Sequence, residues 1–269
     1  MHGDERAATR PLDDIAGAAR ESRMGRKSEA IRVGLVGYGY AGKTFHAPLI
    51  QSVPDLALTI VGSSKPAQVN TELGEVGVCD PLEVGAPPDV DLVIIVTPND
   101  SHFPIAAAAL RAGKDVIVDK PFTVTLAEAR GLVEIAEEQG RLLSVFHNRR
   151  WEGEVQATRE ILQSGRLGEV WHYECHLDRF RPTVRSRWRE KSGPGAGLWF
   201  DLGLHLIDQA LHLFGLPHSV NANFGILREW TNRRLGACAT ELRSTPHYSP
   251  RVAARFRRRT PFRASWHMC

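Results

Sequence analysis

Three groups of residues have types and spacings that fit chemistry. Gly37-Tyr38-Gly39-Tyr40-Ala41-Gly42 is a G-x-G-x-x-G run. Delivered by a strand to a helix tip, such a run grips a diphosphate: Gly37 makes the tight turn, Gly39 lets backbone approach, and Gly42 lets helix and strand pack closely. The helix tip then offers main-chain N–H groups to the phosphates. Asp201, His205, Asp208 and His212 fall at i, i+4, i+7 and i+11 among leucines and Ile207. They form a narrow polar stripe on an otherwise apolar helix. Three readings of the stripe stay open. It is a solvated face, a His/Asp metal site, or an acid–base pair in which a histidine takes an alcohol proton and an aspartate orients it. No H-E-x-x-H pattern accompanies it, so no metal is expected. The third group is Thr97-Pro98-Asn99-Asp100-Ser101-His102 with Asp119-Lys120-Pro121. Each follows an apolar run, where an open α/β sheet binds its ligands.

These groups need strands and helices to position them. Ile31–Val36 leads straight into the glycines. Leu56–Gly62, Leu92–Val96, Asp115–Val118 and Leu142–Phe146 are further apolar runs. Ser101–Ala112 reads as a helix stopped by Gly113. Leu126–Gln139 reads as another, opened by a Thr125/Glu128 capping box and stopped by Gly140. Strand–helix alternation with continuous apolar strands predicts a doubly wound parallel sheet, a Rossmann domain binding a nicotinamide dinucleotide. The residues reading the adenosine ribose should end the second strand. That stretch is Gly62-Ser63-Ser64-Lys65, which has no carboxylate to repel a 2′-phosphate and has Lys65 to pair with one. The cofactor reading therefore leans to NADP over NAD.

After Phe146 the pattern changes. Glu152–Leu162 reads as a helix. Glu169–Asp178 reads as a half-buried strand with Trp171, Tyr173, Cys175 and Leu177 on one face. Residues 182–197 read as a loop and Asp201–Phe214 as a helix. From Arg228 onward there are ten arginines, no lysine and two acids, a charge of +8 against −5 for the rest. The organisation expected is a disordered extension at 1–30, a Rossmann domain at 31–147, a partial α/β substrate domain at 148–227, and a basic, non-native or disordered tail at 228–269. Its abrupt onset reads as a shift of reading frame. A nucleic-acid-binding tail is the rival, but a basic patch without a fold is weak evidence, so nucleic acid is not an expected partner. The chain is 42% hydrophobic and 24% charged, without a run long enough to span a membrane. Its four cysteines lack metal-ligand spacing. They read as reduced thiols of a cytoplasmic protein.

Residues 31 to about 227 resemble the Gfo/Idh/MocA oxidoreductases (glucose–fructose oxidoreductase, inositol dehydrogenase and relatives). The resemblance rests on Gly37–Gly42 followed by His46-Ala47-Pro48, on Thr97-Pro98-Asn99 with His102, and on Asp119-Lys120-Pro121. It continues through His147-Asn148-Arg149-Arg150-Trp151, then Gly193–Gly197 leading into Asp201-x-Gly203-x-His205-x-x-Asp208. It implies a second α/β domain with a large open sheet, incomplete here, and homo-oligomers in the intact family. It implies hydride transfer between NAD(P) and a hydroxyl-bearing carbon of a sugar or polyol. Lys120, Asp201 and His205 correspond to the family's catalytic lysine, aspartate and histidine, with a cis Lys120–Pro121 bond. Taken with the readings above, the expected cofactor-contacting set is Gly37, Tyr38, Gly39, Ala41, Gly42, Ser63, Ser64, Lys65, Thr97, Pro98, Asn99, His102, Asp119, Lys120, Pro121 and Asn148. Asp119 stands where the family usually has glutamate. Alternatives are an NAD-dependent glycosidase of the same family, and a non-catalytic NAD(P)-binding regulator or inactive fragment.

Overall fold

Six apolar stretches become the strands of one sheet: β1 (Ile31–Val36), β2 (Leu56–Gly62), β3 (Gly77–Cys79), β4 (Leu92–Ile95), β5 (Asp115–Asp119) and β6 (Leu143–Phe146). The computed structural model that shows them describes residues 30–177, 193–217 and 219–220, with the backbone of two later strands. The expectations for residues 1–29, and for most of the loop at 182–197, lie outside the described residues. The strand order is β3-β2-β1-β4-β5-β6 and every pairing is parallel. The order reverses between β1 and β4, which opens a crevice at their carboxyl ends. The sequence reading had no β3. Three residues are too few to make an apolar run.

Alternation along each strand sends side chains to two cores. Val93 and Ile95 of β4, with Val116 and Val118 of β5, join one cluster; Leu92, Ile94 and Ile117 face the other. The first cluster is covered by α3 (His102–Arg111) and α4 (Leu126–Gln139), through Ile105, Leu110, Leu132 and Ile135. The second is covered by α1 (Ala47–Ser52) and α2 (Pro66–Leu73), through Ala47, Ile50 and Val69. Both faces of the sheet are thus dry, as continuous apolar strands require. The capping box of α4 forms as expected: Glu128 N–H donates to Thr125 Oγ1 at 3.2 Å, and Thr125 N–H to Glu128 Oε2 at 3.0 Å. Gly140 closes that helix in the left-handed conformation.

The second region contains α5 (Gly153–Gln163), β7 (His172–His176) and α6 (Leu204–Phe214), the last preceded by a π-helical segment, Trp199–Gly203. Tyr173 and Cys175 of β7 pack on Leu202, Leu206 and Ala210. His172, Glu174 and His176 take the outer face, as the alternation predicted. Trp171 departs from that prediction and is 54% exposed, because it precedes the strand and escapes its pleat. The sheet order is β7-β10-β9-β8, with β8 (Ser219–Val220), β9 (Val252–Arg255) and β10 (Arg263–His267). β10 runs parallel to β7 and antiparallel to β9. Two stretches of the basic tail therefore pair as strands, where the sequence reading expected no regular structure. Short strands are held by backbone groups of their neighbours, which leave no periodic trace in the sequence.

Candidate active site

Gly37 sits in the turn after β1 with φ +99°, a conformation that favours glycine. A Cβ there would meet the Val96 carbonyl oxygen at 2.6 Å. A Cβ on Gly42 would fall on the Gly37 carbonyl oxygen, so the helix could not close onto the turn. Gly39 has nothing within 4 Å of a Cβ position, leaving an open approach to its backbone. The helix that starts here is π-helical over Gly42–His46 and carries no side-chain cap at its N-terminus. A bare helix tip behind an open glycine suits a diphosphate. Tyr38 is buried rather than displayed, and Ala41 lies in the first turn of the helix. At the end of β2, Ser63 is half-buried while Ser64 and Lys65 are exposed. Ser63 Oγ accepts from the Lys65 N–H at 3.1 Å, which shapes the turn ahead of α2.

The loops after β4 and β5 lie side by side. His102 is 1% exposed and its ring lies between them, with Nδ1 2.8 Å from the Pro121 carbonyl oxygen and Nε2 2.9 Å from that of Thr97. Ser101 Oγ donates to the Thr97 hydroxyl at 2.6 Å. Asn99 is buried, and its Nδ2 donates to the Gly195 carbonyl oxygen at 2.7 Å, tying the loop after β4 to the second region. Gly195 holds φ +69°, and a Cβ there would meet Asn99 Nδ2 at 2.8 Å. The bond between Lys120 and Pro121 is cis. Asn148 opens the short turn after β6 (Asn148–Trp151).

Lys120 is the meeting point. Its Nζ donates to the Asp201 carbonyl oxygen at 2.5 Å and to Asp201 Oδ1 at 3.3 Å. The two residues are 81 positions apart and come from different regions. His205 follows one turn later and is 4% exposed. Its Nδ1 is buried with no hydrogen-bond partner. Burial, then the positive charge of Lys120, pushes the His205 ring down to about 3. It is therefore a neutral imidazole at ordinary pH, with a free nitrogen beside a cation. Asp119 faces the other way. Burial pushes its carboxyl up, but the His46 ring and the Lys120 backbone N–H at 2.7 Å outweigh that and leave it below its ordinary value. His46 Nε2 lies 3.8 Å from Asp119 Oδ2, and its ring packs on Phe146 at 4.3 Å.

The structure removes one of the three readings of the polar stripe. His205 and Asp208 are buried, which removes the solvated face. Asp208 accepts two hydrogen bonds from Arg150, at 2.7 Å and 2.5 Å. His147 Nδ1, also buried without a hydrogen-bond partner, lies 3.7 Å from Asp208 Oδ2. Among the described residues no group of three or more His, Cys, Asp or Glu side chains could hold a metal ion. The sequence reading missed the pairing of Arg150 with Asp208 and the place of His147 and His46 at the site. All four belong to the quoted motifs, but spacing 58 residues apart gives no hint of a pair.

The sheet order, the glycine turn and the helix tip define an NAD-binding Rossmann fold of the oxidoreductase kind. Residues 31–147 match the model of the oxidoreductase family, NAD-binding Rossmann fold, and residues 155–243 match the GFO/IDH/MocA C-terminal domain. The chain belongs to the Gfo/Idh/MocA oxidoreductase family. The second match runs to residue 243, beyond the residue 227 at which the sequence reading ends the resemblance. The uncharacterized oxidoreductase YdgJ of Escherichia coli is 54% identical over 202 residues, covering 75% of this chain and 58% of that protein. The scyllo-inositol 2-dehydrogenase (NADP(+)) IolW of Bacillus subtilis is 39% identical over 205 residues, covering 76% and 57%. The chain thus spans just over half the length of these relatives. A crystal structure from Klebsiella pneumoniae superposes with a TM-score of 0.74 at 44% identity, covering 89% of this chain and 62% of that one. Among the described residues no helix is long and apolar enough to cross a membrane.

Proposed function

We propose that this chain carries the site of an NAD(P)-dependent oxidoreductase that moves hydride to or from a hydroxyl-bearing carbon of a sugar or polyol. The observation that carries the reading is the convergence of Lys120, Asp201 and the unpartnered Nδ1 of buried His205. Gly37, Gly39 and Gly42 with the bare helix tip fit the diphosphate, and the loops after β4 and β5 would flank the nicotinamide. When bound, the nicotinamide accepts or returns the hydride. His205, neutral at ordinary pH, takes the hydroxyl proton as the carbonyl forms. Lys120 donates to the reacting oxygen and favours its negative charge in the transition state. Asp201 holds the Lys120 ammonium in place and meets the substrate's polar edge. The likeness to two B. subtilis scyllo-inositol dehydrogenases, one named for NADP(+) and one for NAD(+), supports a polyol as substrate class.

NADP is the preferred cofactor in this reading. Exposed Ser64 and Lys65 follow β2 with no carboxylate against a 2′-phosphate. The test is fluorescence titration of the full chain with NADH and NADPH, followed by a panel of inositols and sugars read at the reduced nicotinamide absorbance. NADPH binding tighter than NADH, with reduction by a cyclic polyol, is the expected result. Binding with no turnover on any hydroxyl compound points to a cofactor-binding regulator. Product formed without net reduction points to the glycosidase chemistry. Lys65→Glu should invert the nucleotide preference.

A further inference from the structure

One buried titratable group has no part in the chemistry above. His102 is the first residue of α3 and is 1% exposed. Both of its ring nitrogens face carbonyl oxygens, Nδ1 that of Pro121 at 2.8 Å and Nε2 that of Thr97 at 2.9 Å. A carbonyl oxygen can only accept. A neutral imidazole has one N–H and one lone pair. It would satisfy one carbonyl and set lone pair against lone pair at the other, a costly contact away from water. Only a ring with both N–H groups donates to both oxygens, and such charge-assisted bonds are strong.

The two carbonyls belong to different loops. Thr97 lies in the loop after β4 and Pro121 in the loop after β5, directly beyond Lys120. A rigid ring anchored on α3 therefore sets the distance between them. The loop after β4 is fastened on its far side by Asn99 to Gly195. We propose that His102 is a positioning residue of the nicotinamide site: a buried, doubly protonated ring that clamps the two loops together and so aims Lys120. This rests on the reading that those loops flank the nicotinamide. It also assigns His102 a different part from direct contact with the cofactor, because its ring has no nitrogen left to offer.

The experiment uses the full-length chain with ring-labelled ¹⁵N histidine. The expected spectrum has one histidine whose two N–H protons are both protected from exchange, missing in His102→Gln. A His102 ring with a single N–H overturns the proposal. Binding is then measured with two probes, NADPH and ADP-ribose, which lacks the nicotinamide. His102→Gln should weaken NADPH about tenfold, the scale of one lost bond to a charged group, and leave ADP-ribose unchanged. Unchanged NADPH affinity, or an equal loss for both probes, overturns the positioning role. Should His102→Gln fail to fold, the spectrum of the unaltered chain still decides, since a doubly protected ring is either present or absent. If the unaltered chain binds neither probe, the dinucleotide reading fails and takes the positioning role with it, whatever the ring shows.

Discussion

The Rossmann region and the second region solve the same problem in opposite ways. In the first, each strand is an apolar run, and each neighbour in the sheet is reached through one short helical crossover, apart from the return from β3 to β4. Two dry faces hold it together, with Leu35, Ile95, Leu110 and Leu132 almost fully buried. In the second, β7 finds its neighbour β10 some ninety positions along the chain, and among the described residues the apolar contact is one cluster around Leu202, Leu206 and Ala210. The first region builds a place for a nucleotide out of backbone. The second reaches across the gap with Asp201, whose carbonyl and carboxylate meet Lys120, and with the Gly195 carbonyl, which meets Asn99. Nucleotide affinity should therefore depend on the first region alone, and turnover on the joint between the two.

The sharpest way to break that comparison is at the turn. Gly42→Val forces the helix off the Gly37 carbonyl and should weaken NADPH by more than about a hundredfold in a fluorescence titration, about 3 kcal/mol. Undiminished affinity would mean that the glycines are only a turn. Core truncation comes next. Leu110→Ala should cost about 3–5 kcal/mol in urea denaturation, and Leu206→Ala, in the thinner cluster, about 2–3 kcal/mol. A larger loss for Leu206 would reverse the ranking of the two cores. Asp208→Asn removes one charge from a pair whose arginine is partly exposed, so the expected cost is about 1–2 kcal/mol, with nucleotide affinity kept.

Counted per pH unit, the smallest effect concerns His205. The folded state depresses the His205 ring to about 3, whereas an unfolded histidine titrates near its ordinary value. Between those two values the unfolded chain binds the extra proton, so stability rises with pH there and is flat with respect to this group above it. Urea midpoints taken from pH 7 down to pH 4 should fall for the unaltered chain. They should fall less steeply for His205→Gln, by up to about 1.4 kcal/mol per pH unit. Equal slopes would show that His205 is not held neutral.

Much of this was legible beforehand. The parallel sheet, the glycine turn, the Thr125 capping box and the Gly113 and Gly140 stops follow from local rules, because each depends on residues within a few positions of one another. The resemblance to a family named Lys120, Asp201 and His205 together. Sequence alone left open whether the polar stripe was wet, and it gave no sign that the His102 ring faces the carbonyls of Thr97 and Pro121, because that contact joins two loops from different strands. It also passed over β3 and the two strands of the basic tail, whose pairing is made by backbone groups common to every residue.

What the chain's own order of residues determined is the periodic part: which runs bury on both sides, where helices begin and stop, and which turn can approach a phosphate. Only the folded arrangement decided the contacts between distant positions, such as Arg150 with Asp208 and Lys120 with Asp201. The reason is physical. Apolar burial is set by composition along a segment, whereas a buried charge or ring nitrogen takes its character from whatever the tertiary fold brings within a few ångströms of it.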